Sequence, residues 1–158
     1  MTLSEKLLPK LNEWRPAGPG RHSFGQTFAD EGWGVQLAAD KTDALAALVW
    51  ELALVRTGDA PAGLTLRAWA ERTAARAVGL LEPLKLLEVD EARGEALLRS
   101  AAPAKKGEQV AYYEVKLFGT ARAELRRFAA TRTASGRTQV AFALTHEVLA
   151  KLAGDIAG

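Results

Sequence analysis

His146-Glu147 is the opening of an H-E-x-x-H pattern, in which two histidines one helical turn apart hold zinc and the glutamate acts as base. Position 150, where the second ligand belongs, is alanine, so His146 reads as a first-turn helix residue and no metal site is assigned. The other histidine, His22, follows a Pro/Gly segment and has Ser23 beside it. Adjacency along a chain does not make a nucleophile–base pair, and no G-x-S-x-G elbow accompanies them. Gly32-Trp-Gly34 lacks the third glycine of a dinucleotide loop, and no G-x-x-x-x-G-K-[ST] occurs. With no cysteine and one asparagine, Asn12, there is no thiolate nucleophile, zinc–thiolate site or disulfide, and we expect no cofactor. A carboxylate-dependent enzyme would need Glu51, Glu88 or Glu114 to be buried, whereas alternation places each outward on a strand.

Binding chemistry is better represented. Tyr112 and Phe128 lie near Lys116, Arg126 and Arg132, and aromatics among arginines on a sheet face can stack on bases. Two or three aromatics, no RNP-like motif and a net charge of +2 make nucleic acid an unfavoured partner. The small net charge hides a split: residues 30–91 carry 11 acidic against 6 basic side chains, and residues 99–137 carry 9 basic against 3 acidic. Such a split marks a solvated sheet face or a basic surface for an acidic partner.

These residues must be positioned by elements with legible patterns. Leu3, Leu7, Leu8, Leu11 and Trp14 recur at helical spacing, with Ser4 as N-cap and Pro9 as a kink, ahead of the Pro/Gly linker 15–20. Strand-like runs follow at 22–28 and 33–39. Residues 44–56 fit a strand or a helix, with strand favoured over 48–56. Thr65 caps a helix expected over 66–81, stopped by Gly79 and Pro83. A hairpin turns at 90–94, residues 109–118 alternate cleanly, and 125–133 pairs with 138–144 across Gly136. Thr145 caps a closing helix striped by Val148, Leu149 and Leu152. Trp33, Trp50 and Trp69 are expected in the core, Trp14 as a docking anchor.

The expected fold is α+β. It is a single antiparallel sheet of five to seven strands, with one long helix and a short C-terminal helix on one face, plus an N-terminal helical arm. Residues 1–20 form the arm and linker and 21–158 one domain, consistent with the 158-residue length and with 48% apolar and 25% charged residues. The N-terminus shows no signal peptide and no stretch is long enough to span a bilayer, so the expectation is a cytoplasmic protein without a membrane partner.

Leu64-Thr-Leu-Arg-Ala-Trp-Ala-Glu71, Val110-Ala-Tyr-Tyr-Glu-Val115, Phe128-Ala-Ala-Thr-Arg132 with Gly136, and Val140-Ala-Phe-Ala-Leu-Thr-His-Glu147 carry a resemblance over roughly 21–153. Their order is similar to the PsbP-like fold family, shared with a Ran-binding nuclear import factor, DcrB-like proteins and type VI secretion effector chaperones. Type III secretion chaperones, usually acidic, are a competing resemblance. The PsbP-like resemblance implies a non-enzymatic adaptor or chaperone; it transfers no functional residue, because no motif matches.

The resulting expectation is a protein-binding domain with an unidentified protein partner. Its candidate contact residues are Leu7, Leu11, Trp14, Tyr112, Arg126, Phe128 and Arg132. A homodimer through the arm would become a monomer on removal of residues 1–16. The alternative is a small-ligand-binding protein or a carboxylate-dependent enzyme with a pocket between helix and sheet.

Overall fold

The structure is a computed structural model that describes residues 1–131, 133 and 135–158. Helix α1 spans Leu3–Glu13. Its cap is Thr2 rather than Ser4: Thr2 accepts from the Glu5 amide and the Glu5 carboxylate reaches back to the Thr2 amide, a reciprocal box. Pro9 sits inside the helix without ending it.

Ten strands then build one mostly antiparallel open sheet among the described residues, more than the five to seven expected. They are β1 (His22–Phe28), β2 (Trp33–Thr42), β3 (Ala46–Arg56), β4 (Leu84–Asp90), β5 (Glu95–Ser100), β6 (Ala104–Lys106), β7 (Gln109–Phe118), β8 (Arg122–Thr131), β9 (Thr138–Val140) and β10 (Phe142–Thr145). The order is β1-β2-β3-β8-β7-β5-β4, with β6 added to β7. Helix α2 spans Leu66–Arg76 and α3 spans His146–Ala157.

The sheet forks at its centre. The second half of β3, Leu52 to Val55, pairs with β8, while its first half, Ala46 to Val49, pairs with β10. In turn β8 pairs with β9 through Arg127 to Ala129. The segment 138–144, expected as one strand, is therefore two short ones on either side of Ala141. Trp50 sits where β3 crosses the fork, next to a register shift against β2. That shift takes it out of the core position expected for it. It is half-buried, its ring lies 4.1 Å under the Arg21 guanidinium, and its carbonyl accepts from the Gln139 amide at 2.8 Å.

One face of the sheet supplies the core: Trp33, Val35 and Leu37 of β2, Leu52 and Leu54 of β3, Val115 and Leu117 of β7 and Leu125 of β8 are all buried. Helix α2 packs against β4 and β5, and α3 against β3 and β10. Trp69 of α2 is fully buried against Trp33, and its indole N–H donates to the Ile156 carbonyl at 2.7 Å. Leu3, Leu7 and Leu11 of α1 are buried in the same core, with α1 lying on α3.

Helix α2 ends five residues before the expected boundary of 81. Gly79 lies against Val148 and Leu152, where an added Cβ would sit 3.5 Å from Val148, and Leu80 turns into the core. Leu81 then takes φ 61°, 94% exposed. The segment after Arg76 thus leaves the helix and runs along α3.

Candidate functional site

Alternation along β7 and β8 sends the residues between the core positions to the opposite, polar face. There Glu114 of β7 is buried, its side chain 8% exposed, between two guanidinium groups. Arg99 Nη2 donates to its carboxylate at 2.9 Å and Arg137 Nη1 at 2.5 Å. Burial pushes the Glu114 pKa up. The hydrogen bonds from Arg137 and Arg99 outweigh that and hold the carboxyl below its ordinary value. It is a fixed anion, which disqualifies it as a proton donor near neutral pH.

The two arginines are held in turn by rings. Arg99 lies 4.7 Å over Tyr112, Arg137 lies 3.7 Å over Phe128, and Tyr112 and Phe128 are 6.1 Å apart. Arg137 Nη1 also donates to the Tyr112 hydroxyl at 3.3 Å. A second group of ion pairs continues across β8 to β3. Arg126 meets Glu51 at 2.6 Å and Glu124 at 3.3 Å, and Arg122 meets Glu124 at 2.8 Å. Beyond it, Ser23, Gly25, Gln36, Ala38 and Glu51 line a shallow cavity of about 360 Å³ over β1–β3.

The expected contact residues separate. Tyr112, Phe128 and Arg126 share this face. Leu7 and Leu11 are 0% and 1% exposed, so their apolar surface is used inside the chain. Trp14 packs edge-on to Phe24 with ring centroids 5.6 Å apart. Arg132 lies outside the described residues. Arg99 and Arg137, absent from that expectation, complete the cluster. They reach Glu114 across 15 and 23 positions of chain, a proximity that depends on strand register. Among the other carboxylates considered, Glu51 is paired with arginine and Glu88 is exposed.

His146 makes the other notable constellation. Its Nδ1 is 2.8 Å from Asn12 Oδ1, and its Nε2 is 3.1 Å from Thr42 Oγ1. Thr42 lines a cavity of about 510 Å³ together with His22, Asp40 and Asp43. Hydroxyl, imidazole and amide in series are the parts of a nucleophilic relay, but acyl transfer also needs amide donors for an oxyanion. Around it, the amides of Leu45 and Ala46 donate to the Asp43 carboxylate, that of Asp43 to the Ala46 carbonyl, and that of His146 to the Leu45 carbonyl. These two bonds of His146 tie α1, β2 and α3 together.

Burial first, and then the charge of Arg15, hold the His146 pKa below its ordinary 6.5. The unfolded chain therefore takes up this proton at higher pH than the folded one. The latch contributes fully above about pH 6.5, and its contribution is lost as pH falls through the folded value. Urea unfolding at a series of pH values should show stability declining below pH 6.5, with a shallower decline in His146→Gln. Parallel curves for the two proteins would contradict this assignment.

Among the described residues no group of three or more His, Asp or Glu side chains is placed to hold a metal ion, and no helix is long and apolar enough to cross a membrane. Compared with known proteins, the chain matches no family model, no curated protein and no solved structure.

Proposed function

We propose that this chain is a non-enzymatic protein-binding domain, adaptor- or chaperone-like, that docks its partner on the polar face of the sheet. The carrying observation is the cluster of Tyr112, Phe128, Arg99 and Arg137 around the buried carboxylate of Glu114. Aromatics and arginines are the side chains that dominate interface energetics, and these are held in place before any partner arrives. Their ordering entropy is already spent within the chain. The helices lie on the core side of the sheet in this reading and leave the polar face free. Packing of α2 on β4 and β5, and of α3 on β3 and β10, supports it.

The pairing of Arg99, Arg122, Arg126 and Arg137 with glutamates argues against a phosphate backbone as partner, since little unpaired positive charge remains in this strip. The PsbP-like resemblance stays with this proposal. Its support is the sequence of elements from β1 through α2 and the antiparallel strands to the closing α3.

The test is affinity capture from the native cell with the full chain and with two variants, each required to match the parent in far-UV circular dichroism and thermal midpoint because Phe128 is buried under Arg137. Tyr112→Ala and Phe128→Ala together should lose the captured protein, while Leu81→Ser, on the α2–β4 loop, should keep it. Equal capture by both variants would overturn the assignment of the face. Capture of nucleic acid that falls steeply with salt would overturn the protein-partner reading.

A further inference from the structure

We propose that β1 is a pairing edge for a second copy of this chain, forming an antiparallel β1–β1 junction that joins the two sheets. This concerns an edge and not the polar face, so it stands or falls separately from the reading above.

The two ends of the sheet differ. At one end β4 carries Lys85, Glu88 and Asp90, and its pairing with β5 is interrupted between Leu86 and Glu88, the usual devices that blunt an edge. At the other, β1 runs seven residues, His22-Ser-Phe-Gly-Gln-Thr-Phe28, in unbroken register with β2. It has no lysine, arginine, acid or proline, and no irregularity. An unprotected strand of this length is a template for another strand.

The occupant follows from the strand's own symmetry. Alternate residues of an edge strand point their backbone groups away from the sheet. The Thr57 amide donates to the Gly32 carbonyl, so Gly34 and Gln36 of β2 bond to β3 while Trp33, Val35 and Leu37 bond to Phe28, Gln26 and Phe24, which leaves Ser23, Gly25 and Thr27 as the outward set. Gly25 is the central residue of the seven. A two-fold axis through it pairs Gly25 with itself, Ser23 with Thr27, Phe24 with Gln26 and His22 with Phe28. The hydroxyl residues then face one another on one side, and the half-buried Phe24 and Phe28 of both copies line the other. One residue beyond the strand the same axis sets Arg21 opposite Ala29, the first residue of the 3-10 turn Ala29–Glu31, so the Arg21 side chain of each copy faces the acidic turn of the other. An uncharged strand flanked by opposite charges is complementary to itself.

Light scattering on the full chain should give twice the 16.9 kDa chain mass. Gly25→Lys would place two like charges together on the axis and should give the monomer mass, whereas Gly25→Ser should remain dimeric. A Cβ at Gly25 meets no atom within 4 Å, so far-UV circular dichroism of both variants should match the parent. Hydrogen exchange gives a second readout: the Gly25 and Thr27 amides should be protected in the parent and exchange quickly in Gly25→Lys. A monomeric parent, or a dimer that survives Gly25→Lys, would overturn the proposal. So would a parent monomer whose β1 amides become protected only on adding an unrelated extended peptide, which would assign the edge to a foreign strand.

Discussion

Trp69→Ala is expected to lower unfolding stability by about 3–5 kcal/mol, the range for deleting a large buried aromatic. The side chain is 0% exposed, sits 5.8 Å from the Trp33 ring, and shares the Arg56 guanidinium with it. Arg56 is itself fixed, donating through Nε to the Thr120 carbonyl at 2.8 Å. Removing the indole would open a void between α2 and the sheet and leave the Ile156 carbonyl at the end of α3 without its donor. Trp69→Phe isolates the second effect, because it keeps most of the packing and loses the N–H. It is expected to cost about 1–3 kcal/mol, the penalty of an unsatisfied buried acceptor. Urea midpoints measured with unchanged slope would read both. A loss below about 1 kcal/mol for Trp69→Ala would mean that the site collapses around the void.

Removing residues 1–16 is expected to cost more than any single substitution. Leu3, Leu7 and Leu11 are 5%, 0% and 1% exposed, and each contributes about 1.5–3 kcal/mol by leaving water. Together they approach the whole of a typical margin of about 5–15 kcal/mol. The deletion also strips Asn12 from His146, inside the core. The thermal midpoint should fall by on the order of 10–20 °C, and the truncated chain should bind a hydrophobic dye through the uncovered side of α3. A truncated protein that melts like the parent would show that α1 is not docked in solution. Leu7→Ala tests the same contact without truncation and is expected to cost about 2–5 kcal/mol.

What the residues disclose in advance depends on how local the deciding physics is. The caps at Thr65 and Thr145 are legible because a hydroxyl and an amide three residues on suffice, and both are found. The hairpin between β4 and β5 needs only Gly94 at φ 69°, and β7 needs only alternation. The Thr2 cap was equally local, since Thr2 precedes Glu5 by three positions, but Ser4 competes for the role. The course of the chain after α2 is of another kind, because Gly79 lies against α3, some seventy residues further along. The same holds for Trp50: pattern alone makes it a core tryptophan, and only the register shift where β3 crosses the fork decides otherwise. The cluster around Glu114 was half legible. Tyr112 and Phe128 are conspicuous as aromatics, but Arg99 and Arg137 acquire meaning only when β5, β7 and the segment after β8 are placed side by side.

The fork in the sheet also sets a schedule for synthesis. The first half of β3 gains its neighbour on that side only when β10 arrives, roughly a hundred residues later. Helix α1, made well before α3, finds its bed only when α3 has been made. During synthesis an early helix with bare leucines and a half-zippered central strand would therefore wait until α3 emerges. Folding of such a chain is a closing event rather than a progressive one, and the nascent chain would be the form most in need of chaperone cover.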